Sequence, residues 1–501
     1  MKLGGLDIGT TGCKLTVFDE NGENLGKAYR DYPAKRAVSG HEIDVSAIMQ
    51  GVYDCIREMA EQYPDLAGIG VTSFGETFVM TDEAGTPLHT AMLYTDPRGA
   101  EECAELVEKM GKVKLIEETG LNPHEMYSIA KVMWIKKHMP DVYENAKHIF
   151  LMEDYVMFHL TGNACIDYAL ASRTMAFNIN HLHFSYNICE AAGVDIELFS
   201  KPVPTGSVVG NLTTEVAGFT GLSTETKIIA AGHDQVAAAV GAGAFDGSVA
   251  VDGAGTVECL TPIFDEKPDL LAMSEKNYAV IPYVVPGKYV AYAFSYTGGA
   301  LVQWGTETFA KKEADLAFAQ GISVNEYLEN AYAENRGESP TGLLLLPHFA
   351  GAATPYMDGG SKGAIVGLTA DTKAEDLYMA CLEGVVYEMA LNRNTIDGCT
   401  KLHFDKVLAT GGGARSKRWM QMKADMLNVP FVSLKTLDAG TVGSAMMTGV
   451  AVGLFNDLRT AADVMVRRLD VYEPNAELHE RYMALYKKYE KLYEAIRPLV
   501  G

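Results

Sequence analysis

Two short glycine-threonine hairpin motifs, about half a chain apart, constrain the fold of this sequence more than any other feature. The first spans residues 6–14 and reads LDIGTTGCK, and the second spans residues 251–258 and reads VDGAGTVE. Each motif predicts a strand, a glycine turn and a second strand. Glycine carries no Cβ and permits positive φ, so the backbone N–H groups of such a turn can approach an anion closely. Two copies therefore predict two similar lobes that close on one polyphosphate.

The length and composition favour a globular protein with two domains. The chain has 501 residues, of which 48% are apolar and 21% charged. A chain of this length exceeds the size at which a single core stops growing. Strand-like and helical patterns alternate along both halves, which predicts an α/β architecture. A glycine- and alanine-rich stretch before the second hairpin places the predicted boundary at residue 243, between domains 1–243 and 244–501.

The net charge and the cysteine pattern exclude several classes of function. A net charge of -23 disfavours a general nucleic-acid or anionic-membrane binder, although a local nucleotide site remains compatible with it. The eight cysteines form no C-x-x-C pair, and their scatter is typical of a reducing cytoplasm. We also expect no secretory leader and no membrane span, because no apolar run reaches about 18–20 residues.

Local patterns predict several elements in more detail. The predicted helices include residues 45–63, 100–119, 128–138 and 373–397, and residues 406–410 form a predicted strand before three glycines. Apolar residues recur every three or four positions from Leu478 to Ile496, which predicts an amphipathic helix. Packing of this helix within the chain is the preferred interpretation, and a homodimer interface is the alternative.

Several ordered motifs together resemble the FGGY family of carbohydrate kinases, within the superfamily of sugar kinases, chaperones and actin-like ATPases. The chain has no P-loop and no G-x-G-x-x-G after a strand, so a nucleotide would have to bind in another way. The motifs that carry the resemblance are residues 7–14, 96–98, 126–134, 232–235, 255–256, 299–304, 347–355, 363–368 and 411–425. The resemblance implies two ribonuclease-H-like domains flanking a catalytic cleft. It also implies ATP-dependent phosphorylation of a hydroxyl on a small sugar or polyol, with Mg²⁺.

Asp234 is the predicted catalytic residue. A carboxylate at the junction of the two halves can accept the proton of a substrate hydroxyl as that oxygen attacks the γ-phosphoryl group. The alternative is an aspartate that caps a helix beginning at Gln235. Asp7 and Asp234 are the predicted metal-facing carboxylates, because Mg²⁺ prefers oxygen ligands and keeps much of its water. For Asp7 the alternative is a turn-forming role.

Residues from both halves are expected to bind the nucleotide. Lys14 would act as a point charge on a phosphate, the alternative being a solvated strand lysine. The glycines after residue 410 would let adenine or ribose pack on backbone. The full predicted set is Thr10, Thr11, Lys14, Gly255, Thr256, Gly299, Gln303, Gly412, Gly413, Ala414 and Ser416.

The predicted substrate-binding residues lie mainly in the first half, and they are Gly75, Glu76, Thr77, Asp96, Arg98, Met126, Asp234 and Gln235. Glu76 suits a sugar because a carboxylate accepts hydrogen bonds from vicinal hydroxyls. Asp96 and Arg98 either bind the substrate or form a structural ion pair.

The choice of substrate depends on two departures from the resemblance to glycerol kinases. Gly75 stands where those enzymes have arginine, and Met126 where they have tyrosine. Both changes remove polar contacts, and Gly75 is expected to open space. Xylulokinases usually carry Met-His at positions 75–76, so that match is also imperfect. A ketopentose such as xylulose is the first choice, ahead of glycerol, other polyols, deoxysugars and sugar acids.

A non-kinase ATPase related to actin or the chaperones is the alternative from another class. Such proteins share the two hairpins but lack the context around Asp234. Chaperones also add a peptide-binding domain, for which residues 244–501 leave no room. The expected partners are therefore ATP and a small sugar or polyol.

Overall fold

The computed structural model describes residues 1–37, 40–436 and 438–500. Its strands are β1 (Lys2–Ile8), β2 (Gly12–Phe18), β3 (Asn24–Asp31), β4 (Ala34–Ala37), β5 (Gly40–Ile43), β6 (Leu66–Ser73), β7 (Phe78–Thr81), β8 (Ala91–Met92), β9 (His148–Leu151), β10 (Cys165–Asp167), β11 (Phe177–Asn178), β12 (His183–Phe184), β13 (Lys201–Val203), β14 (Val208–Asn211), β15 (Lys227–His233), β16 (Val249–Ala254), β17 (Glu258–Phe264), β18 (Val280–Pro282), β19 (Tyr289–Ala291), β20 (Ala293–Ser295), β21 (Leu344–Leu346), β22 (Ala364–Val366), β23 (Lys406–Thr410), β24 (Phe431–Leu434) and β25 (Arg468–Tyr472).

The helices cover both faces of these strands. They are α1 (Val45–Gln62), α2 (Ala100–Met110), α3 (Lys112–Thr119), α4 (Ser128–His138), α5 (Pro140–Asn145), α6 (Met152–Thr161), α7 (Tyr168–Ser172), α8 (Tyr186–Ala192), α9 (Thr214–Thr220), α10 (Asp234–Ala242), α11 (Leu270–Glu275), α12 (Gly299–Phe309), α13 (Lys311–Gln320), α14 (Val324–Arg336), α15 (Ala374–Thr400), α16 (Lys417–Leu427), α17 (Ala439–Ala451), α18 (Leu458–Met465), α19 (Ala476–Tyr489) and α20 (Leu492–Val500). Short 3₁₀ turns occur at Ile196–Leu198 and Gly412–Arg415.

The two main sheets share one strand plan. The first has the order β14-β15-β6-β1-β2-β3, and the second has the order β18-β19-β17-β16-β23-β24-β25, with β20 also paired to β17. In each, the first strand of the glycine hairpin pairs antiparallel with the second strand and parallel with a later strand. The repeat confirms the prediction of two similar α/β lobes, each containing one glycine hairpin.

Strand register gathers the predicted site residues at one edge of each sheet. In the first sheet Ile8 lies opposite Ser73, and Ser73 lies opposite His233. In the second sheet Gly253 lies opposite Thr410. Ligands of open α/β sheets bind outside the carboxyl ends of the parallel strands, where the loops that follow them meet. The residues just after these strands are therefore brought together by topology.

Two antiparallel helices, α10 and α17, pack closely between the lobes. A Cβ added at Gly241 would come within 2.7 Å of the Gly443 nitrogen, and one at Gly443 within 2.8 Å of the Gly241 nitrogen. Helix α17 also lies directly on the first sheet, since a Cβ at Gly5 would come within 2.9 Å of the Thr441 carbonyl carbon. Only glycine fits at these positions, because each faces backbone that cannot move aside independently.

Most of the predicted elements agree with the structure, and two predictions were wrong. The predicted helix 100–119 is two helices, α2 and α3, separated at Gly111 with a φ of 82°. The C-terminal apolar pattern likewise spans two helices, α19 and α20, rather than one. These bury Leu478, Tyr482 and Tyr489 inside the chain. The homodimer and the boundary at residue 243, which falls at the end of α10, stay predictions.

Within the described ranges, no helix is both long enough and apolar enough to cross a bilayer.

Candidate active site

The first hairpin carries a paired lysine beside its turn. The register of β1 and β2 places Asp7 opposite Lys14, with Lys14 Nζ 3.0 Å from Asp7 Oδ2. Asp438, just before α17, places its Oδ1 2.7 Å from the same Nζ. Burial alone would lower the pKa of Lys14, but the two carboxylates outweigh that effect and raise the pKa. Lys14 is therefore a fixed positive charge next to the turn.

The turn of this hairpin is held by backbone contacts and by Tyr32. Gly9 N–H donates to the Gly12 carbonyl at 2.9 Å, and the Tyr32 hydroxyl donates to the Gly9 carbonyl at 2.7 Å. Neither glycine has a positive φ, so the expected use of left-handed backbone was wrong here. Gly12 is required by space instead, because a Cβ there would come within 2.6 Å of the Arg30 carbonyl oxygen. The intervening Thr10 is partly exposed and Thr11 exposed, which leaves both accessible to a ligand.

Asp234 is the first residue of α10, with His233 at the N-cap position. The helix thus begins at Asp234, one residue earlier than in the alternative in which Asp234 caps a helix that starts at Gln235. The side chain of Asp234 is 32% exposed. Withdrawal from water, reinforced by the nearby carboxylate of Asp7, raises the pKa of Asp234 to about 7. A carboxylate with this pKa can exchange a proton near neutral pH, as a general base must.

His233 and Tyr292 lie behind Asp234. The His233 Nε2 atom is 3.4 Å from Asp234 Oδ1, and its Nδ1 atom is 3.2 Å from the Tyr292 hydroxyl. Burial, with the nearby guanidinium of Arg173, lowers the pKa of His233 well below its usual value, so the ring is neutral. A neutral ring can accept from the Tyr292 hydroxyl at Nδ1, and its Nε2 then carries the proton on the side of Asp234.

The segment after β6 forms a tight turn that presents Glu76. Thr77 N–H donates to the Gly75 carbonyl at 2.7 Å, and Glu76 has a φ of 60°. Ser128 fixes this backbone, because its hydroxyl donates to the Glu76 carbonyl at 2.7 Å. A non-glycine residue with positive φ is a strained conformation that surrounding structure must hold, and such residues cluster at functional sites.

Arg173 holds the Glu76 side chain. Its Nε donates to Glu76 Oε1 at 2.6 Å, and its Nη2 donates to the same oxygen. The guanidinium also lies between two aromatic rings, 5.3 Å from the centroid of Tyr127 and 5.6 Å from that of Tyr292. In the described part of the chain no group donates to Glu76 Oε2, so that oxygen is left to accept from a ligand.

The structure changes the interpretation of Gly75 and Thr77. A Cβ at Gly75 would come within 3.0 Å of Arg173 Cγ and 3.1 Å of the His233 ring. The expected open space at Gly75 was therefore wrong, because these two side chains fill it. Thr77 has no exposed surface, and its hydroxyl accepts from the Tyr94 N–H at 3.2 Å. It supports the segment rather than presenting a hydroxyl to a substrate.

Asp96 and Arg98 form a structural ion pair. Arg98 Nε and Nη2 donate to the two oxygens of Asp96 at 2.9 and 2.6 Å, and Nη2 also donates to Glu42 at 2.7 Å. Burial would raise the pKa of Asp96, but the hydrogen bonds from Arg98 outweigh it and lower the pKa. This geometry favours the ion-pair alternative. Met126 and Gln235 are each partly exposed.

In the second lobe, predicted nucleotide residues line a cavity of about 820 Å³. Those on its wall are Gly299, Gln303, Gly412, Gly413 and Ser416. Ala414 is buried and contributes only to the core behind this wall. The cavity is large enough for a small ligand and has both backbone and polar side chains on its surface.

The second hairpin joins this cavity through backbone hydrogen bonds. Gly299 N–H donates to the Gly255 carbonyl at 2.9 Å, and Ala300 N–H donates to the Thr256 carbonyl at 3.1 Å. Gly411 has a φ of 87°. A Cβ at Gly411 would also come within 2.5 Å of the carbonyl oxygen of the hairpin residue 254. The hairpin, the start of α12 and the glycine segment thus form one continuous surface.

Sequence reasoning missed Arg173, Tyr292 and the contact of His233 with Asp234. Arg173 follows α7 directly and reaches a carboxylate 97 residues earlier in the chain. No local pattern indicates such a partner.

The two α/β lobes share one strand plan, and each contains a glycine hairpin, which is the two-domain fold of the actin-like ATPases. Models of the FGGY family of carbohydrate kinases match the chain, the N-terminal domain over residues 2–241 and the C-terminal domain over residues 254–452. The chain therefore belongs to the FGGY family of carbohydrate kinases. It is an ATP-dependent sugar kinase, with ATP and a sugar as substrates.

Relatives and solved structures cover nearly the whole chain. A xylulose kinase of Lactococcus lactis is 26% identical over 98% of this chain and 96% of its own length. A gluconokinase of Bacillus subtilis is 27% identical over 98% of this chain and 96% of its own length. The crystal structure of a ligand-bound xylulose kinase from Lactobacillus acidophilus matches with a TM-score of 0.89 at 23% identity, covering 100% of this chain and 99% of that one. The last comparison supports the fold.

Proposed function

We propose that this enzyme transfers the γ-phosphoryl group of ATP to a hydroxyl of a ketopentose such as xylulose. The relative from L. lactis, similar over almost its full length, is named for that sugar. The observation that carries the choice is the pairing of Arg173 with Glu76, both nearly buried. Because the charge of Arg173 is balanced there, and that of Arg98 by Asp96 and Glu42, the pocket favours an uncharged sugar. A sugar acid such as gluconate would need a free cation facing it, and the nearby Lys131 is fully buried, with its ammonium donating to the Glu125 carbonyl.

Asp234 is proposed as the residue that aligns the attacking hydroxyl and accepts its proton. Its pKa of about 7 makes it available as a base, and His233 Nε2 lies 3.4 Å from its carboxylate. Glu76 Oε2 would accept from a second hydroxyl, which fixes the orientation of the sugar. Phosphoryl transfer depends mostly on such positioning and on stabilisation of charge. Gln235 and Met126 would complete the wall around the sugar.

The proposed nucleotide site spans the two lobes. Adenosine would occupy the cavity beside the 412–416 segment, and the phosphates would extend toward the two glycine turns. Lys14 would balance charge on the phosphates. Backbone and side-chain donors of residues 10–11 and 255–256 would complete the cradle. Closure of the lobes would exclude water that could otherwise hydrolyse ATP.

Asp7 and Asp234 are the proposed carboxylates for a Mg²⁺ ion. No group of three or more His, Cys, Asp or Glu in the described part of the chain is arranged to hold a metal. Mg²⁺ is usually bound by one or two carboxylates together with substrate phosphates and water, so two aspartates suffice. When bound, Mg²⁺ would neutralise charge on the phosphate oxygens. Asp7 and Asp234 would hold it through their carboxylate oxygens.

A coupled assay of ADP release tests the proposal. Xylulose, ribulose, gluconate and glycerol would be compared with the unaltered protein and with Asp234→Asn. We expect the highest kcat/KM with a ketopentose and a loss of about 10²–10⁴-fold in Asp234→Asn. Asp405→Asn is the matched control, because that side chain is 70% exposed at the surface. Higher kcat/KM with gluconate, or full activity of Asp234→Asn, would contradict the proposal.

A further inference from the structure

A fully buried lysine lies beneath the second glycine hairpin. Lys423 of α16 has no exposed surface, and its Nζ donates to Asp252 Oδ2 at 2.7 Å and to Glu258 Oε1. Asp252 belongs to β16 and Glu258 begins β17, so the two carboxyl groups flank the turn. Lysine is almost never fully buried unless it is paired. The predicted site residues include none of these three groups.

The charges and hydrogen bonds of Lys423, Asp252 and Glu258 depend on one another. Asp252 Oδ1 and Glu258 Oε2 are buried without a hydrogen-bond partner, and two carboxylates with one ammonium would leave a net negative charge. Burial, and then the charge of Asp252, raise the pKa of Glu258 well above its ordinary value, which favours its protonated form. A proton held between the two carboxyl groups would satisfy both unpartnered oxygens. The cluster is then neutral and rigid, because each member needs the others to remain buried.

The same lysine is linked to the cavity wall. Lys423 Nζ lies 4.4 Å from the ring centroid of Trp419, which lines the cavity of about 820 Å³. The Trp419 ring packs on Gly413 so closely that a Cβ at Gly413 would come within 2.6 Å of Trp419 Cζ3. Contacts therefore run from the glycine segment through Trp419 and Lys423 to both strands of the second hairpin.

We propose that Lys423 is a positioning residue for the nucleotide. It fixes the second hairpin relative to the 411–416 segment, so that one nucleotide can contact both. The inference rests on the nucleotide site of the proposed function. An apolar side chain would fill the same volume and keep the core packed, but it would not tie the two strands to α16 at a defined distance.

Three variants separate positioning from stability. Lys423→Met removes the ammonium at similar volume and leaves a buried negative charge. Lys423→Met with Asp252→Asn leaves an amide beside a protonated Glu258, so the cluster is again uncharged. Glu258→Gln is the matched control, because its amide mimics the protonated carboxyl and leaves the pair between Lys423 and Asp252 intact. Each would be measured by thermal unfolding, by calorimetric titration with ADP, and by KM for ATP and for the sugar.

We expect ADP affinity to fall about tenfold or more in both variants that lack the ammonium, with KM for ATP rising in parallel. KM for the sugar should change by less than about twofold, because the first lobe is untouched. The double variant should recover most of the lost Tm without recovering ADP affinity, and Glu258→Gln should behave like the unaltered protein.

Recovery of ADP affinity together with Tm in the double variant would overturn the inference, since Lys423 would then matter only for stability. Unchanged ADP affinity in a folded Lys423→Met would also overturn it. If the unaltered protein bound no ADP, the proposed nucleotide site would fail and this inference with it. That failure would be seen in the unaltered protein itself, whereas failure of this inference alone would be seen only when the variants are compared with an unaltered protein that binds ADP.

Discussion

Asp438 Oδ1 lies 2.7 Å from Lys14 Nζ, and this contact joins the second half of the chain to the first glycine hairpin. Asp438 Oδ2 also lies 3.4 Å from Lys27 Nζ on β3. One carboxylate thus holds two lysines of adjacent strands. The proposed phosphate-binding charge of the first lobe is positioned by a residue that precedes α17.

Asp438→Asn should lower kcat/KM for ATP by about tenfold, because a charge-assisted hydrogen bond that orients Lys14 contributes about 1.5–3 kcal/mol. KM for the sugar should stay near that of the unaltered protein. Steady-state kinetics with each substrate varied in turn would measure both. Asp246→Asn is the control, since Asp246 pairs with the exposed Arg459 at the surface. An effect of equal size on the sugar would contradict this assignment.

The rate should depend on the protonation of Asp234. Burial and the charge of Asp7 raise its pKa to about 7, and a base acts only when deprotonated. We therefore expect kcat/KM for the sugar to fall by about tenfold per pH unit as the pH is lowered below that value. A pH profile under conditions where the protein stays folded would test this. A flat profile between about pH 5.5 and about pH 8 would contradict the role.

The raised pKa of Asp234 also affects the stability of the fold. The deprotonated form that serves the reaction destabilises the native state. A carboxyl whose pKa is raised on folding destabilises the native state as pH rises from the unfolded value, near 4, through the folded value, about 7. Asp234→Asn removes this cost. The variant should therefore have a higher Tm than the unaltered protein at about pH 8, and the difference should shrink toward about pH 4. A difference in Tm that does not depend on pH would show that the carboxyl is not the cause.

Replacement of Arg173 should destabilise the fold, because it leaves Glu76 as a nearly buried charge without its partner. The two side chains are only 8% and 5% exposed, and breaking such a pair costs about 3–5 kcal/mol. Arg173→Met should lower the free energy of unfolding by about that amount, measured with urea. Adding Glu76→Gln should recover part of the loss.

The control for Arg173 is an exposed pair. Arg30 and Glu58 are 38% and 40% exposed, so Arg30→Met should cost less than about 1 kcal/mol. Equal losses in the free energy of unfolding for Arg173→Met and Arg30→Met would show that burial does not decide the cost of breaking these pairs.

The contact between α10 and α17 should tolerate no added atom. Gly443→Ala should reduce the free energy of unfolding by about 1–3 kcal/mol or more, because its Cβ would meet the α10 backbone. Gly218→Ala is the matched control, since that helical glycine has open space around it. The control should be neutral or stabilising by up to about 1 kcal/mol. Similar losses in both variants, compared by urea unfolding, would contradict tight packing at this junction.

Local patterns predicted the parts of the fold that depend on neighbouring residues. Both hairpins, α4 at Ser128–His138 and β23 at Lys406–Thr410 agree with expectation, because turn glycines and apolar spacing act over a few residues. The break at Gly111 was missed, although a glycine inside a helical pattern is a known interruption. Its φ of 82° ends one helix and lets another begin.

The site contacts could be predicted only in part. The positions that follow strands, such as Asp234 and Glu76, could be identified because strand ends in an α/β sheet meet at one edge. The partners of these side chains could not. Arg173 reaches Glu76, and Lys423 reaches Asp252, across separations of 97 and 171 residues. Such pairings depend on the packed structure, so no spacing in the sequence indicates them.

The glycine contact between α10 and α17 has a consequence for catalysis. Asp234 is the first residue of α10, and Asp438, which holds Lys14, immediately precedes α17. A change in the crossing angle of these two helices would therefore shift the proposed base and the ammonium group of Lys14 relative to one another. If the cleft opened by such a change, the proposed reacting groups would lose their alignment, and an open enzyme would be inactive even with both substrates bound.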